Sequence, residues 1–444
     1  MSSSFSSLVS PANQATRNVR IVLRASPSIA SFFNAASLIP DSPSIAVPVT
    51  LNSAGLAKVV EHLLKELGLE QIEQLALLFR DVQRDLVLSS TLDRYLTREG
   101  VSEEHTLLLE YFPRPKDPKP SGSTKVPDWI SGIKVAKNKK GLVYASSFDG
   151  SLIEFDASGK LVQRLATAHK DSIRALSVLT TLDNTTYLFS GSKDGSIAAW
   201  TTAPMTLAGM CGNSGIPVDA VDAAKSSDNN QEALLIGGGS DGLLKLYQMK
   251  LDVSENNGKK HSEDKERGKR QHHELACQEA VGVLSGHSDK ISAVQWLGDV
   301  DPTSCYSASW DCTLRVWDVV RQVETASWRL PKAATCMSQR NNLMVSGHAD
   351  YIVRVWDARV AGGDSACKTN LSSHQGWVSS VAFQSEYVIA SASYDRTIKV
   401  WDVRRMAPLH TIETNLAGRL FAVDWGADSL YAGGTDAELR RYSL

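Results

Sequence analysis

The chain has 444 residues and a formal net charge of −2 at pH 7, with 42% hydrophobic and 22% charged residues. This length is enough for two or three domains, and these proportions are ordinary for a soluble globular protein. The near-neutral charge excludes a whole-protein field that attracts nucleic acid or membranes, and no apolar run approaches the roughly 20 residues that span a bilayer.

The first 40 residues contain no acidic residue, several serines and three arginines. This composition overlaps with that of an organelle transit peptide. The alternation of Val19, Ile21 and Leu23 with polar positions instead favours a first strand after a flexible tail over residues 1–17. The six cysteines form no CxxC pair, which is typical of reduced thiols in a cytosolic or nuclear protein.

Residues 18–113 have the pattern of a small α+β domain. Strands are predicted at 18–25, 44–51, 75–80, 86–89 and 105–112, with a turn before the last one. A helix with a one-face apolar stripe is predicted from Leu56, Val59, Val60, Leu63, Leu64 and Leu67. The order suggests a β-grasp fold, and residues 89–112 resemble the last third of ubiquitin.

Residues 114–127 are rich in proline and lysine and indicate a linker. The preceding domain has no diglycine end, so it cannot be conjugated as ubiquitin is. We therefore interpret residues 18–113 as a docking module.

A pattern recurs seven times from residue 145 onwards: a short apolar strand, a small-residue step, an aspartate turn, a second strand and an aromatic residue six positions after the aspartate. The turn aspartates are Asp149, Asp194, Asp241, Asp311, Asp350, Asp395 and Asp436. Their spacings are 45, 47, 70, 39, 45 and 41 residues, and the long interval equals one repeat plus about 26 inserted residues.

The insertion is predicted as a disordered loop at about 251–275, because it is polar, mixed in charge and without periodicity. Two interpretations of its basic residues stay open, a solvated loop or a nuclear import signal. The residues concerned are Lys259, Lys260, Lys269 and Arg270.

These repeats resemble the WD-repeat family. The resemblance implies a mainly β protein, with a seven-bladed propeller over residues 128–444 after the ubiquitin-like domain. It also implies buried networks of His169, Ser190, Asp194 and Trp200; of His287, Ser307, Asp311 and Trp317; and of His374, Ser391, Asp395 and Trp401. A Ser-His-Asp hydrolase is a poor interpretation, because the trio recurs three times whereas a catalytic site occurs once. The fifth repeat lacks the histidine.

The last copy, which ends at Tyr442, Ser443 and Leu444, supplies only three strands of its blade. An open propeller edge would be exposed to pairing with other chains. We therefore expect residues of about 120–127 to pair beside 437–443 and close the ring.

The combined organisation resembles the Ytm-type WD-repeat proteins of ribosome biogenesis. The resemblance implies a non-enzymatic scaffold in maturation of the large (60S) ribosomal subunit and its pre-rRNA, in the nucleolus and nucleoplasm. The implied partners are a block-of-proliferation-type propeller protein, pescadillo, the AAA ATPase midasin and the pre-60S particle, with no membrane and no small-molecule substrate.

The same resemblance implies that the ubiquitin-like domain docks on midasin through one acidic residue, which maps to Glu104 in the step Gly100 to Glu104. A metal-ion-dependent adhesion site leaves one Mg²⁺ position open for a carboxylate oxygen. The Mg²⁺ would belong to the ATPase, and this chain is expected to hold no cofactor or metal of its own. The adjacent Glu103 departs from the family pattern and leaves the assignment between the two glutamates open.

A function of another class is a propeller that receives substrates for a ubiquitin ligase. Such receptors usually carry an F-box, and no F-box pattern is visible in this sequence. The sequence does not indicate which propeller face binds the scaffold partner.

Overall fold

The computed structural model describes residues 17–26, 41–66, 77–84, 86–88, 90–113, 117–136, 141–181, 185–202, 204–212, 215–226, 232–250, 279–298, 302–357, 367–414 and 418–444. The contacts between Cα atoms divide the chain into two compact units, residues 1–116 and 117–444. The predicted tail, apart from Arg17, and the predicted insertion with its import-signal residues lie outside the described residues.

The first unit is a five-stranded mixed sheet with two helices. Its elements are β1 (Asn18–Ala25), β2 (Ile45–Pro48), α1 (Ser53–Glu66), β3 (Leu77–Asp81), β4 (Leu86–Val87), α2 (Leu92–Glu99) and β5 (Leu107–Pro113). The strand order is β2-β1-β5-β3-β4, with β1 and β5 parallel and the other neighbours antiparallel. The apolar stripe of α1 buries Leu56, Val60 and Leu64 in the core of this unit, as its periodicity predicted.

The turn predicted between residues 89 and 105 was wrong, because this stretch contains helix α2. Thr91 precedes the helix, and Gly100 ends it in the left-handed conformation with φ 63°. The buried hydroxyl of Tyr95 donates to the Asp81 carboxylate at 2.8 Å and ties the helix to β3. The threonine start and glycine stop are ordinary helix signals that could have revealed α2 in the sequence.

The second unit contains seven four-stranded antiparallel sheets in its described residues. The first three are β7 (Ile130–Val135), β8 (Val143–Ser147), β9 (Leu152–Phe155) and β10 (Leu161–Leu165); β11 (Ile173–Thr180), β12 (Thr186–Ser192), β13 (Ile197–Thr201) and β14 (Leu207–Cys211); and β15 (Val218–Lys225), β16 (Glu232–Gly239), β17 (Leu244–Lys250) and β18 (Gly282–Leu284).

The next three sheets are β19 (Ile291–Trp296), β20 (Ser304–Ser309), β21 (Thr313–Asp318) and β22 (Val323–Arg329); β23 (Ala334–Arg340), β24 (Leu343–His348), β25 (Ile352–Asp357) and β26 (Cys367–Ser372); and β27 (Val378–Phe383), β28 (Val388–Ser393), β29 (Thr397–Asp402) and β30 (His410–Glu413). The seventh is β31 (Leu420–Trp425), β32 (Ser429–Gly434), β33 (Glu438–Ser443) and β6 (Lys119–Lys125).

The seven sheets close into a ring. The first strand of each sheet packs against the first strand of the next, and β31 packs against β7. The seventh sheet takes its outer strand from the start of the unit, where β6 pairs antiparallel with β33 from Lys119 opposite Ser443 to Lys125 opposite Glu438. This is the strand pairing that the sequence predicted.

Apolar side chains fill the space between neighbouring sheets. The cluster around Trp317, for example, joins Leu246 of the third sheet to Cys305 of the fourth. Burial on both faces explains why the second strand of a sheet is built from apolar and small residues, as in β28, whose six residues are all buried. The first strands surround an axial cavity of about 810 Å³. The Asp222 carboxylate lies beside this cavity and accepts hydrogen bonds from Ser177 Oγ and from the backbone N–H of Trp296, both at 2.9 Å. These two bonds link the second, third and fourth sheets.

No helix among the described residues is long and apolar enough to cross a membrane.

Candidate docking sites and buried polar networks

The turn aspartates accept backbone hydrogen bonds inside their own turns. Asp311 Oδ1 accepts the N–H of Thr313 at 2.9 Å. The same contact is made by Asp149, Asp194, Asp241, Asp350 and Asp395. In the seventh sheet the Asp436 carboxylate accepts a hydrogen bond from the Arg440 guanidinium at 2.8 Å. A short side chain that satisfies the turn backbone explains why aspartate recurs at this position.

In the fourth sheet, four side chains next to the Asp311 turn form one buried hydrogen-bond network. Trp317 Nε1 donates to Ser307 Oγ at 2.7 Å, and the same oxygen lies 2.7 Å from His287 Nε2. His287 Nδ1 lies 2.7 Å from the Asp311 carboxylate. The structure therefore brings together all four residues of this predicted set.

The sixth sheet assembles its predicted set in the same way, and the second sheet does so except at the aspartate. In the sixth sheet the three contacts, among His374, Ser391, Asp395 and Trp401, measure 2.7, 2.8 and 2.8 Å. In the second sheet His169 Nε2 lies 2.7 Å from Ser190 Oγ, which accepts Trp200 Nε1 at 2.8 Å. Here the Asp194 carboxylate lies 3.4 Å from His169 Nδ1, and Ser196 Oγ lies 3.0 Å from the same nitrogen.

The hydrogen bonds assign the protonation of the rings in the fourth and sixth sheets. There Nδ1 lies against an aspartate carboxylate, which can only accept, so Nδ1 carries the proton and Nε2 accepts from the serine hydroxyl. Burial holds the pKa of His287 below its ordinary value, although Asp311 acts in the opposite direction. Burial alone would raise the pKa of Asp311, but hydrogen bonds from Thr313 and His287 outweigh it and lower that pKa. A neutral imidazole beside an ionised carboxylate results.

The geometry favours a structural role for these trios. Ser190, Ser307 and Ser391 have no exposed surface, so no substrate carbonyl can reach their hydroxyls. Each hydroxyl is already engaged by a tryptophan and a histidine, which satisfies polar groups inside a packed sheet. In the described part of the chain, no group of three or more His, Cys, Asp or Glu side chains could hold a metal ion.

The fifth sheet contains a network of the same kind that the sequence analysis missed. The repeat lacks a histidine before its first strand, but the fully buried His348 replaces it from β24. His348 Nε2 lies 2.7 Å from Ser346 Oγ, which accepts Trp356 Nε1 at 2.7 Å. Burial lowers the pKa of His348 to about 4. The histidine two residues after the serine was the available signal.

In the first unit, the loop between α2 and β5 separates the two candidate glutamates. Arg17 donates to the half-buried Glu103 carboxylate, and the same guanidinium reaches Asp93 at 3.1 Å. Glu104 is exposed, and its carboxylate makes no ion pair within the described residues. Its backbone N–H donates to Ser102 Oγ at 3.3 Å, which holds the loop turn. One glutamate is therefore tied to the domain and its neighbour faces solvent.

Comparison with known proteins agrees with the repeat pattern. The family described as "WD40: WD domain, G-beta repeat" matches residues 159–201, 278–318 and 365–402. These are the three repeats that carry the complete set of histidine, serine, aspartate and tryptophan. The four repeats that the family model does not match depart from that set.

Relatives extend the similarity to nearly the whole chain. A ribosome biogenesis protein WDR12 homolog from Chlamydomonas reinhardtii is 29% identical over 91% of this chain and 94% of its own. The homolog from Arabidopsis thaliana is 27% identical over 89% and 92%. The ribosome biogenesis protein YTM1 of Meyerozyma guilliermondii is 26% identical over 90% and 91%. The chain therefore carries WD repeats and is similar over about nine-tenths of its length to proteins named WDR12 homolog and YTM1, all described as ribosome biogenesis proteins.

Proposed function

We propose that this chain is a non-catalytic scaffold in maturation of the large ribosomal subunit, with two separate docking modules. The names of its relatives support the process, and the buried repeated trios support the absence of catalysis. The protein would act in the nucleolus and nucleoplasm on pre-60S particles.

The ring of seven four-stranded sheets is what a seven-bladed WD-repeat propeller requires. In this role it binds a block-of-proliferation-type propeller protein, which also holds pescadillo. The first unit has the mixed sheet and packed helix of a ubiquitin-like β-grasp domain, with the parallel pair β1 and β5 at its centre. In this role it docks on midasin.

The observation that carries the docking proposal is the difference between Glu103 and Glu104. A carboxylate that completes the coordination of a partner's Mg²⁺ must be exposed and free of competing cations. Glu104 meets both conditions among the described residues, whereas Glu103 is engaged by Arg17. Glu104 is therefore the residue that would reach the open Mg²⁺ position of the ATPase, and this chain needs no metal of its own.

The test measures binding of the purified full-length chain to the metal-site domain of midasin, with Mg²⁺ and with a chelator. Glu104→Ala should weaken binding by at least about tenfold, because it removes the carboxylate oxygen that would complete the coordination of the metal. Glu104→Asp should bind partly, since its carboxylate is one methylene shorter. Glu103→Ala is the matched control and should bind like the parent. Equal binding by the parent and Glu104→Ala, or no effect of chelator, would contradict the metal bridge.

A further inference from the structure

At one face of the ring, every sheet makes the same backbone hydrogen bond. The N–H of the residue before the turn aspartate donates to the carbonyl of a residue just before the first strand, at 2.9–3.1 Å. In the fifth sheet this pair is Ala349 and Ala333, and in the second it is Lys193 and Ser172. The fold thus accepts small or polar side chains here, so a large aromatic side chain at these positions is not required by the backbone.

Aromatic side chains nevertheless concentrate on part of this face. Six rings contact one another in series at centroid distances of 5.6–6.5 Å. We call them the aromatic row: Trp129, Phe148, Phe421, Tyr394, Trp377 and Trp310. They come from the first, seventh, sixth and fourth sheets, and the second, third and fifth sheets contribute none.

The row keeps large apolar surfaces in water. Trp129 is 47% exposed and Trp377 is 38% exposed, whereas the network tryptophans of the sheets are buried. Exposing an indole gives up much of the free energy that its burial would supply. Contiguous exposed apolar patches mark interaction sites, and tryptophan and tyrosine dominate the energetics of protein interfaces.

Two cations lie on the row without carboxylate partners. The Lys290 ammonium is 3.8 Å from the Trp310 ring centroid, and the Arg419 guanidinium is 5.1 Å from that of Tyr394. Neither forms a salt bridge to any residue that the structure describes. By contrast, Arg174 on the same face is paired with Asp219 at 2.9 Å. The aromatic row therefore combines apolar surface with two cationic groups that form no salt bridge within the described residues.

The ring arrangement favours a protein ligand over a single-stranded nucleic acid. Bases bind by stacking on free flat ring faces. Here Trp377 is itself stacked on Tyr394, and Lys290 and Arg419 cover further ring surface. The remaining contacts are tilted or edge-on, an arrangement that aromatic side chains also adopt with one another in protein interiors and interfaces.

We propose that the aromatic row binds a segment of a partner protein that carries apolar side chains and acidic residues, with the carboxylates on Lys290 and Arg419. This proposal rests on the proposed scaffold function and specifies the chemistry of its partner. Two ring-to-ring steps of 6.0 and 5.8 Å separate Trp310 from Tyr394. An extended chain advances about 3.3 Å per residue, so acidic residues about four apart would reach both cations.

The test uses a phage-displayed library of random 12-residue peptides selected on the full-length chain. We expect the selected peptides to be enriched in Asp or Glu together with Leu, Phe or Trp. Binding of a selected synthetic peptide should weaken at least about tenfold in Trp377→Ala and in the double variant Lys290→Glu/Arg419→Glu. The double variant should prefer the same peptide with its acidic residues changed to lysine.

Matched controls come from the other sheets. Lys193→Glu reverses a charge at the position equivalent to Trp310, and Pro217→Ala changes the position equivalent to Trp377; both should bind like the parent. Circular dichroism and melting temperature show whether each variant is folded. If Trp377→Ala unfolds the ring, the double variant Lys290→Glu/Arg419→Glu still tests the proposal, because it changes side chains that are not buried.

Three outcomes would overturn the proposal. Selected peptides could lack acidic residues, or could bind the charge-reversed variant as tightly as the parent. A ten-residue uridine RNA could bind the parent and be lost in Trp377→Ala, which would identify the row as a nucleic-acid site. None of these outcomes affects the Glu104 test, so failure of this surface remains distinguishable from failure of the scaffold function.

Discussion

Trp317 belongs both to an apolar cluster between two sheets and to the buried hydrogen-bond network of the fourth sheet. It is 1% exposed, packs between the third and fourth sheets and donates to Ser307 Oγ. Trp317→Ala removes the apolar contacts and takes one hydrogen-bond donor from the buried Ser307 Oγ, so we expect a loss of about 3–5 kcal/mol of unfolding free energy. Thermal or urea unfolding of the purified chain measures this loss.

Two further variants separate the two effects of that substitution. Trp317→Phe keeps most of the apolar burial and loses only the hydrogen bond, so its melting temperature should fall less. Trp129→Ala, at a half-exposed ring, should change stability little. If Trp317→Ala melts within a degree or two of the parent, the burial argument is wrong.

His348 makes the stability of the ring depend on pH. Burial lowers the pKa of its imidazole from 6.5 to about 4, so between these values the unfolded chain binds a proton that the folded chain does not. Stability from this residue is therefore complete above pH 6.5 and is lost as pH falls towards 4. Between pH 7 and 5 the loss amounts to about 2 kcal/mol.

The measurement compares melting temperatures at pH 7 and pH 5. The parent should lose more stability than His348→Gln, because the glutamine cannot titrate and the other network histidines contribute equally to both proteins. His105→Gln, at an exposed histidine of the first unit, should follow the parent. Parallel pH profiles for the parent and His348→Gln would contradict the assignment.

At the scale of elements, β6 is held mainly by its backbone. Its side chains are largely exposed, while its pairing with β33 runs from Lys119 to Lys125. Deletion of residues 119–125 should therefore lower the melting temperature of the ring and leave the edge of β33 open to other chains. Light scattering should detect self-association of the deletion variant but not of Ser121→Ala. A monomeric deletion variant with the parent's melting temperature would refute this role.

The sequence predicted those elements correctly that have a strong local repeat pattern, and it missed elements whose pattern is weak. The seven aspartate turns and the pairing of the two ends followed from a repeat with one strand too few. Helix α2 was missed because its eight residues are mostly polar and charged, so its caps were a stronger signal than its periodicity. His348 was missed because it lies on the same strand as its serine, two residues after it, whereas the predicted histidines precede the first strand of their sheets.

The candidate surfaces show the same limit. Glu103 and Glu104 are adjacent in sequence, and only the position of Arg17, more than eighty residues earlier, distinguishes them. The aromatic row joins residues from four sheets whose numbers range from 129 to 421. Sequence spacing cannot reveal such a surface, because it depends on ring closure bringing equivalent positions of different repeats together.

At the scale of the whole molecule, separate docking modules predict a trapped complex. In cells, Glu104→Ala should enter pre-60S particles normally, because an exposed loop charge contributes little to folding and the ring is unchanged. It should then persist on those particles and inhibit growth dominantly, since its release would be blocked. Sedimentation of tagged protein with pre-60S particles measures this, with Glu103→Ala as the control. Normal release of Glu104→Ala would contradict the proposed division of roles.

The origin of the closing strand has a mechanical consequence. The chain passes from the first unit into β6 within a few residues, and β6 holds the seventh sheet through its hydrogen bonds to β33. Tension applied to the first unit therefore enters the ring at Asp117, which contacts His410 of β30, and at β6 directly after it. A motor that pulls on the first unit would load this contact and the pairing of β6 with β33, which joins the two ends of the ring.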